Sequence, residues 1–166
     1  FNQEFECDFD VGLPGAIYAK EVTEARCAGH VIPGLLPDKS APVHTSWDLG
    51  SPENTSVIYF QRIGPRVLII DHDKGLRLTT AERVAYMLGK GYTYGVHCLP
   101  HDAASTQTGG LSFADEITKA GLKGVRIIRR TIDAERRIQG MWGYFPNLYF
   151  NEENTKHLLR SLENYR

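Results

Sequence analysis

Val43-His44-Thr45-Ser46-Trp47-Asp48-Leu49-Gly50 is the stretch on which the fold turns. Its side chains alternate. Val43, Thr45, Trp47 and Leu49 share one face and His44, Ser46 and Asp48 the other, the period of a half-buried strand. The strand carries a carboxylate, Asp48, near its C-terminal end. Gly50, Ser51, Pro52 and Asn54 then make a turn. Thr55 to Ile63 (TSVIYFQRI) reads as a second strand, apolar on both faces and therefore central. Gly64-Pro65 is too short for a crossover, so Arg66 to Asp71 (RVLIID) returns antiparallel and the three strands form a meander.

Downstream, the period changes. Thr79-x-x-Glu82 is a capping box, followed by Ala81, Val84, Ala85 and Leu88 at helical spacing and stopped by Gly89 and Gly91. Tyr94 to Leu99 is a fourth strand. Reached through a helix, it is expected to run parallel to the first. It leads into Pro100-His101-Asp102 and a polar, Gly-rich loop. Ser112 to Ala120 is a short helix and Val125 to Ile128 a fifth strand. Asp133 to Phe145 is an amphipathic helix with Ile138, Met141, Trp142 and Phe145 inward. Asn151 to Tyr165 is a last helix with Leu158, Leu159, Leu162 and Tyr165 inward. Residues 1–40, rich in Gly and Pro, read as an entry arm over the core with only a short strand, Ala16 to Ala19. Three antiparallel strands followed by helix, strand, helix, strand is the order of the α/β ribonuclease H-like fold, with a mixed five-stranded sheet in the order 3-2-1-4-5 flanked by helices. That order makes strands one and four parallel neighbours and brings Asp48 and Asp102 to adjacent carboxyl ends, where ligands of such sheets gather.

Two carboxylates so placed suit a hard divalent ion such as Mg²⁺ or Mn²⁺, often held by one or two protein carboxylates plus water and substrate phosphate. Two-metal nucleases hold a pair of ions ~3.5–4 Å apart to activate water and stabilise the leaving oxygen. The competing reading is that each Asp ends a strand and caps a turn. Other constellations carry less. Asp71-His72-Asp73 reads as a surface turn ending an apolar strand. His97, Cys98 and His101 lack the CxxC or HExxH partners of a zinc site, and neighbouring strand residues face opposite ways. The chain has no Walker A loop and no G-x-S-x-G.

Composition sets the frame. In 166 residues, 42% hydrophobic and 23% charged, the chain is an ordinary globular domain and has no apolar run long enough to span a membrane. Cys7, Cys27 and Cys98, odd in number and far apart, fit free thiols in a reducing compartment. The first residue is Phe1 and no signal-peptide pattern follows, so the chain reads as a piece of a longer protein. Residues 119–137 hold seven basic and two acidic residues, a net +5, and leave −6 on the remainder of a chain whose total is −1. Lys119, Lys123, Arg129, Arg130, Arg136 and Arg137 in that stretch are candidate phosphate contacts. A solvated helix edge with local ion pairs is the plainer alternative.

Trp47-Asp48-Leu49-Gly50 with Thr55 soon after, Tyr94-Gly95, Leu99-Pro100-His101-Asp102-Ala103 and a closing Leu159, Leu162, Tyr165-Arg166 resemble the C-terminal nuclease domain of the large terminase subunit of tailed bacteriophages. The resemblance covers nearly the whole chain. Gln3-Glu4-Phe5 and Gly15-Ala16-Ile17-Tyr18 look like the join after that protein's ATPase domain, which makes 1–40 an arm and 41–166 the nuclease domain. The resemblance implies a ribonuclease H-like endonuclease that cuts concatemeric double-stranded DNA into genome-length units with two Mg²⁺ or Mn²⁺ ions. Asp48 and Asp102 are then the first and second catalytic, metal-binding carboxylates. Glu53 matches an acidic residue that often follows the DLG, and Asp71 is a further auxiliary acid. The family's third carboxylate falls shortly after a Tyr-Arg such as Tyr165-Arg166, so the resemblance implies a domain truncated there and poorly active by itself.

The resemblance further implies the portal protein and small terminase subunit as partners, no membrane, a monomeric fragment and the cytoplasm of the infected bacterial host. Two alternatives stand beside it: a Holliday-junction resolvase of the same fold, and a non-catalytic nucleic-acid docking module.

Overall fold

In the computed structural model of the chain, residues 15–106, 110–129 and 133–166 are described. The strands are β1 (Val31–Ile32), β2 (Val43–Asp48), β3 (Ser56–Ile63), β4 (Arg66–Lys74), β5 (Tyr94–Leu99), β6 (Val125–Ile127) and β7 (Leu148–Asn151). They form one mixed sheet in the order β1-β7-β4-β3-β2-β5-β6. Only β3 runs against its neighbours; every other pairing is parallel. The carboxyl ends of β1, β2, β4, β5, β6 and β7 therefore lie along one rim.

The five strands expected from the sequence occupy the expected order, now β4-β3-β2-β5-β6. The sheet extends past β4 by β7, which lies in the stretch between the two expected C-terminal helices and overlaps the second only at Asn151, and by β1, which lies in the expected arm. Asn151 is not a helix start: β7 ends there, and the last helix, α5, spans Lys156–Glu163. The expected strand Ala16 to Ala19 is also overturned. A helix, α1 (Ala19–Cys27), follows Tyr18, and Tyr18, Val22 and Ala25 are buried at helical spacing. The density of Gly and Pro around it hid that spacing. Cys27 is disulfide-bonded and Cys98 is a free thiol, which corrects the expectation of free thiols throughout; Cys7 lies outside the described residues.

Helices α2 (Thr80–Gly89) and α3 (Phe113–Lys119) cover one face of the sheet. Val84, Met87 and Ile117 pack there on Val43, Trp47, Val57, Tyr59 and Leu99. Both open on capping boxes, Thr79 with Glu82 and Ser112 with Asp115. On the opposite face α1, α5 and α4 (Ala134–Tyr144) pack Val22, Leu159, Ile138 and Met141 over Ile69, Leu148 and Phe150. Trp142 and Tyr165 do not turn inward as expected, being 43% and 49% exposed. Trp142 stands about 100° around the helix from Met141, where its Nε1–H donates to the Ile17 carbonyl at 3.2 Å. Among the described residues no helix is long and apolar enough to cross a membrane.

Candidate metal centre and nucleic-acid face

Asp48 ends β2, and its buried neighbours Val43, Thr45 and Trp47 commit that strand's other face to the α2/α3 core. His44, Ser46 and Asp48 consequently point to the opposite face. β5 lies beside β2 in parallel, with Ser46 level with Cys98. Asp102 comes four residues after Cys98, in a single 3₁₀ turn, His101–Ala104, that is anchored by buried Ala103 and closed by the Ser105 N–H on the Asp102 carbonyl at 2.9 Å. The two carboxylates thus stand at the carboxyl ends of adjacent parallel strands.

Both are exposed, and among the described residues neither side chain has a hydrogen-bond or ion-pair partner. The other described aspartates are all engaged. Asp38 accepts from Ser40, Asp115 caps α3 and Asp133 caps α4. Asp71 and Asp73 pair with Lys90. Capping a turn, the ordinary reason to find Asp at a strand end, is therefore not what Asp48 and Asp102 do. Glu53, on the turn after β2, is likewise exposed and unpartnered among the described residues.

Asp71 is not brought to this place. β4 does not turn at Asp71-His72-Asp73 but continues to Lys74, and its register puts Asp71 opposite Tyr59 and Asp73 opposite Val57. Those partners belong to the α2/α3 face, the one away from Asp48. There the Lys90 ammonium donates to Asp71 at 2.7 Å and Asp73 at 3.0 Å and lies 4.9 Å and 4.7 Å from the Tyr59 and Tyr86 ring centroids. Among the described residues no group of three or more His, Cys, Asp and Glu is arranged to hold a metal ion. Two exposed carboxylates with their remaining positions open still suit the mode in which Mg²⁺ keeps most of its ligands as water and phosphate.

The basic residues divide by topology. Arg126 is level with Cys98, Ser46, Ile58 and His72 across four strands, so it lies on the face that carries Asp48. Lys74 is level with Ser56 and Asp48 on the same face. Both are exposed, and neither was among the candidates read from the sequence. The signal for them is strand register, which one strand read alone does not carry. Arg129 follows the carboxyl end of β6 and so reaches the same rim. Lys119 and Lys123 do not: α3 starts after the Asp102 loop and runs away from the rim, and Lys123 precedes the amino end of β6. Arg136 and Arg137 are exposed on the first turns of α4, Arg136 with a loose 3.9 Å pairing to Asp133. Arg130 lies outside the described residues.

A polar network underlies the two strands. The Trp47 indole N–H donates to Thr45 Oγ1 at 2.8 Å, and Thr45 Oγ1 meets His97 Nδ1 at 2.7 Å. Burial, with a smaller contribution from His44, pushes the His97 imidazole down to about 4. His44 accepts the Val96 N–H at 3.0 Å and presses on Gly95, where a Cβ would sit 2.7 Å from the ring. His72 Nε2 lies 2.9 Å from the hydroxyl of Ser56, the residue opposite Asp48, and burial holds its imidazole below the ordinary range.

No protein-family model and no curated protein matches the chain. Solved structures do. The nuclease domain of the P22 large terminase superposes with a TM-score of 0.61 at 13% identity, over 81% of this chain and 72% of that one. The nuclease domain of the large terminase (g2p) of bacteriophage SPP1, with bound Mn, gives 0.57 at 10% identity, over 81% and 76%. The large terminase of the thermophilic bacteriophage D6E gives 0.57 at 16% identity, over 82% of this chain and 35% of that one, so the chain spans about a third of that protein's length. At these identities the likeness establishes the architecture: the chain has the ribonuclease H-like fold of large-terminase nuclease domains.

Proposed function

We propose that this chain is the nuclease module of a viral DNA-packaging terminase, a metal-dependent endodeoxyribonuclease acting on concatemeric double-stranded DNA. One observation carries the reading. Asp48 and Asp102, alone among the described aspartates, are exposed without a side-chain partner, Asp48 at the end of β2 and Asp102 in the turn just past the end of the adjacent parallel β5. The fold shared with terminase nuclease domains supports it. Residues 41–166 are then the nuclease domain and 1–40 the segment joining it to an ATPase domain; portal protein and small subunit are partners, in the cytoplasm of the infected host.

Asp48 and Asp102 would hold Mg²⁺ or Mn²⁺, and two such ions would supply water activation and neutralise charge on the leaving oxygen. The chain's own residues do the rest. Two bare carboxylates repel a DNA phosphate, and a cation held by them would offset that repulsion. Arg126 and Lys74 flank the carboxylates on the same face, one toward each edge of the sheet, and Arg129 extends the positive rim. They position the backbone without reading its sequence, since phosphate contacts carry no base information. Glu53 stands by as an auxiliary oxygen donor at the Asp48 end.

Mn²⁺ titration followed by electron paramagnetic resonance tests the centre directly. The wild-type chain is expected to bind Mn²⁺, and Asp48→Asn and Asp102→Asn to lose it while keeping the circular dichroism spectrum. Undiminished binding in both variants removes these residues from the site.

A further inference from the structure

Arg83 stands in the first turn of α2 and is 3% exposed. Its Nη2 donates to the Pro52 carbonyl at 3.0 Å and to the Leu76 carbonyl at 2.8 Å. Pro52 belongs to the turn that leaves β2 directly after Asp48. Leu76 belongs to the segment that leaves β4 after Lys74. One guanidinium thus ties together the two connections on either side of β3 at the rim that carries Asp48.

The turn is otherwise closed only on itself. The Asn54 N–H donates to the Ser51 carbonyl at 2.7 Å and the Thr55 N–H to the same carbonyl at 2.9 Å. The Asn54 side-chain amide donates to the Ser51 hydroxyl at 2.8 Å. Gly50 is held so close that a Cβ there would lie 3.0 Å from the Asn54 Cβ. Among the described residues, Arg83 makes the only hydrogen bond from residues 50–54 to another element. It does so at a cost. Both hydrogen-bond acceptors are neutral, Nη1 is buried with no partner among the described residues, and burial works against the guanidinium's charge, an effect that the Asp73 carboxylate offsets only in part. An apolar side chain would fill the space without desolvating a charge. What it would not do is grip a loop.

We propose that Arg83 is a positioning residue for the metal centre: it fixes the turn bounded by Asp48 and carrying Glu53 against the rim, so that the Asp48 carboxylate is presented in one orientation. The role rests on the metal reading of Asp48. It acts through backbone carbonyls, touching neither metal nor DNA.

The test uses Arg83→Met and two readouts on the 166-residue chain. In chelator, amide hydrogen exchange at Asn54 and Thr55 is expected to speed up on the order of 10-fold, the loss of one charge-assisted hydrogen bond, with β3 and β4 amides unchanged. Mn²⁺ affinity is expected to fall about 10-fold, as when a supporting residue behind a ligand is removed. Arg83→Lys keeps the charge and offers one nitrogen to the two carbonyls. Its changes should have the same sign and be smaller, and it serves if the Met variant fails to fold. Unchanged exchange at Asn54 and Thr55 overturns the clamp. Faster exchange with unchanged Mn²⁺ affinity overturns the positioning role while leaving the metal reading intact. Mn²⁺ binding that survives Asp48→Asn removes the metal reading instead, and the role of Arg83 with it, whatever the exchange rates show.

Discussion

Two pairs of aspartates sit at the carboxyl-terminal parts of parallel strands in the same sheet, with opposite surroundings. Asp71 and Asp73 face the α2/α3 layer, where one ammonium and the hydroxyls of Tyr59, Tyr86 and Tyr92 donate to them. Asp48 and Asp102 face outward and among the described residues receive nothing. A carboxylate pair saturated by the fold contributes to stability and has no capacity left for a ligand. A bare pair makes no stabilising contact and has all of its capacity left. The difference separates a structural cluster from a candidate site more sharply than residue type or position in a strand does.

The sharpest way to break that contrast is one substitution at each pair, a carboxylate in the bare one and the cation of the saturated one. Asp48→Asn should abolish the weak cutting of plasmid DNA expected of the chain itself in Mn²⁺, and with it Mn²⁺ binding. In chelator it should leave stability unchanged or raise it by up to about 1 kcal/mol, the scale of a surface charge change. Nicking assays and urea melts read the two. A destabilised Asp48→Asn would mean that the fold depends on this carboxylate after all.

Lys90→Met should do the reverse. Removing the cation leaves two carboxylates facing each other in a largely closed layer, at a cost of about 3 kcal/mol, the lower end for a buried pair because Lys90 keeps some exposure to solvent. Urea denaturation reads the loss, and Mn²⁺ affinity should not move. A Lys90→Met chain that melts like wild type would dissolve the distinction from the other side.

Acid titration sharpens the comparison beneath the site. His97 is held at about 4 by burial, below the 6.5 of the unfolded chain. Between those values the unfolded state binds the extra proton. The stabilisation is therefore complete above pH 6.5 and is lost as pH falls toward 4, by up to about 1.4 kcal/mol per pH unit for one group. His72, also depressed by burial, adds in the same direction. His97→Gln should flatten the decline in melting temperature across that window. An unchanged slope would show that His97 does not govern it.

The smallest effects concern the surface. Arg126→Glu and Arg129→Glu should each weaken duplex binding and reduce the salt slope of log K by ~0.9 for every phosphate the variant no longer neutralises. Lys119→Glu and Lys123→Glu, away from the rim, should change neither. Equal weakening by both sets would restore the basic segment, rather than the rim, as the binding surface.

Particular residues show where the chain was legible. Alternation over 43–48 and the turn at Gly64-Pro65 specify the meander, and the capping box at Thr79 marks α2 to within a residue. Those signals are local, and local backbone geometry answers to them. β7 was missed because Leu148 to Asn151 is a short apolar run next to a helical pattern, and such runs suit strand or helix until a neighbouring strand offers its edge. α1 was missed because its face of Tyr18, Val22 and Ala25 is small and wins only by packing under Leu159 and Phe145.

The sequence by itself determined that Asp48 ends one strand, that Asp102 follows another, and that the two strands run side by side, because periodicity, turn length and crossover handedness are consequences of the backbone. It could not say which acids are spent and which basic residues share a face. Asp71 was a candidate ligand until cross-strand register placed it on the far side of the sheet beneath Lys90. Arg126, one of the basic residues of 119–137 but not a candidate contact, and Lys74 are set on the face of Asp48 by the same register. Lys119 and Lys123 lie away from the rim because α3 runs away from it. Register and partnering join residues distant in the chain through the sheet, and only the assembled tertiary structure decides them.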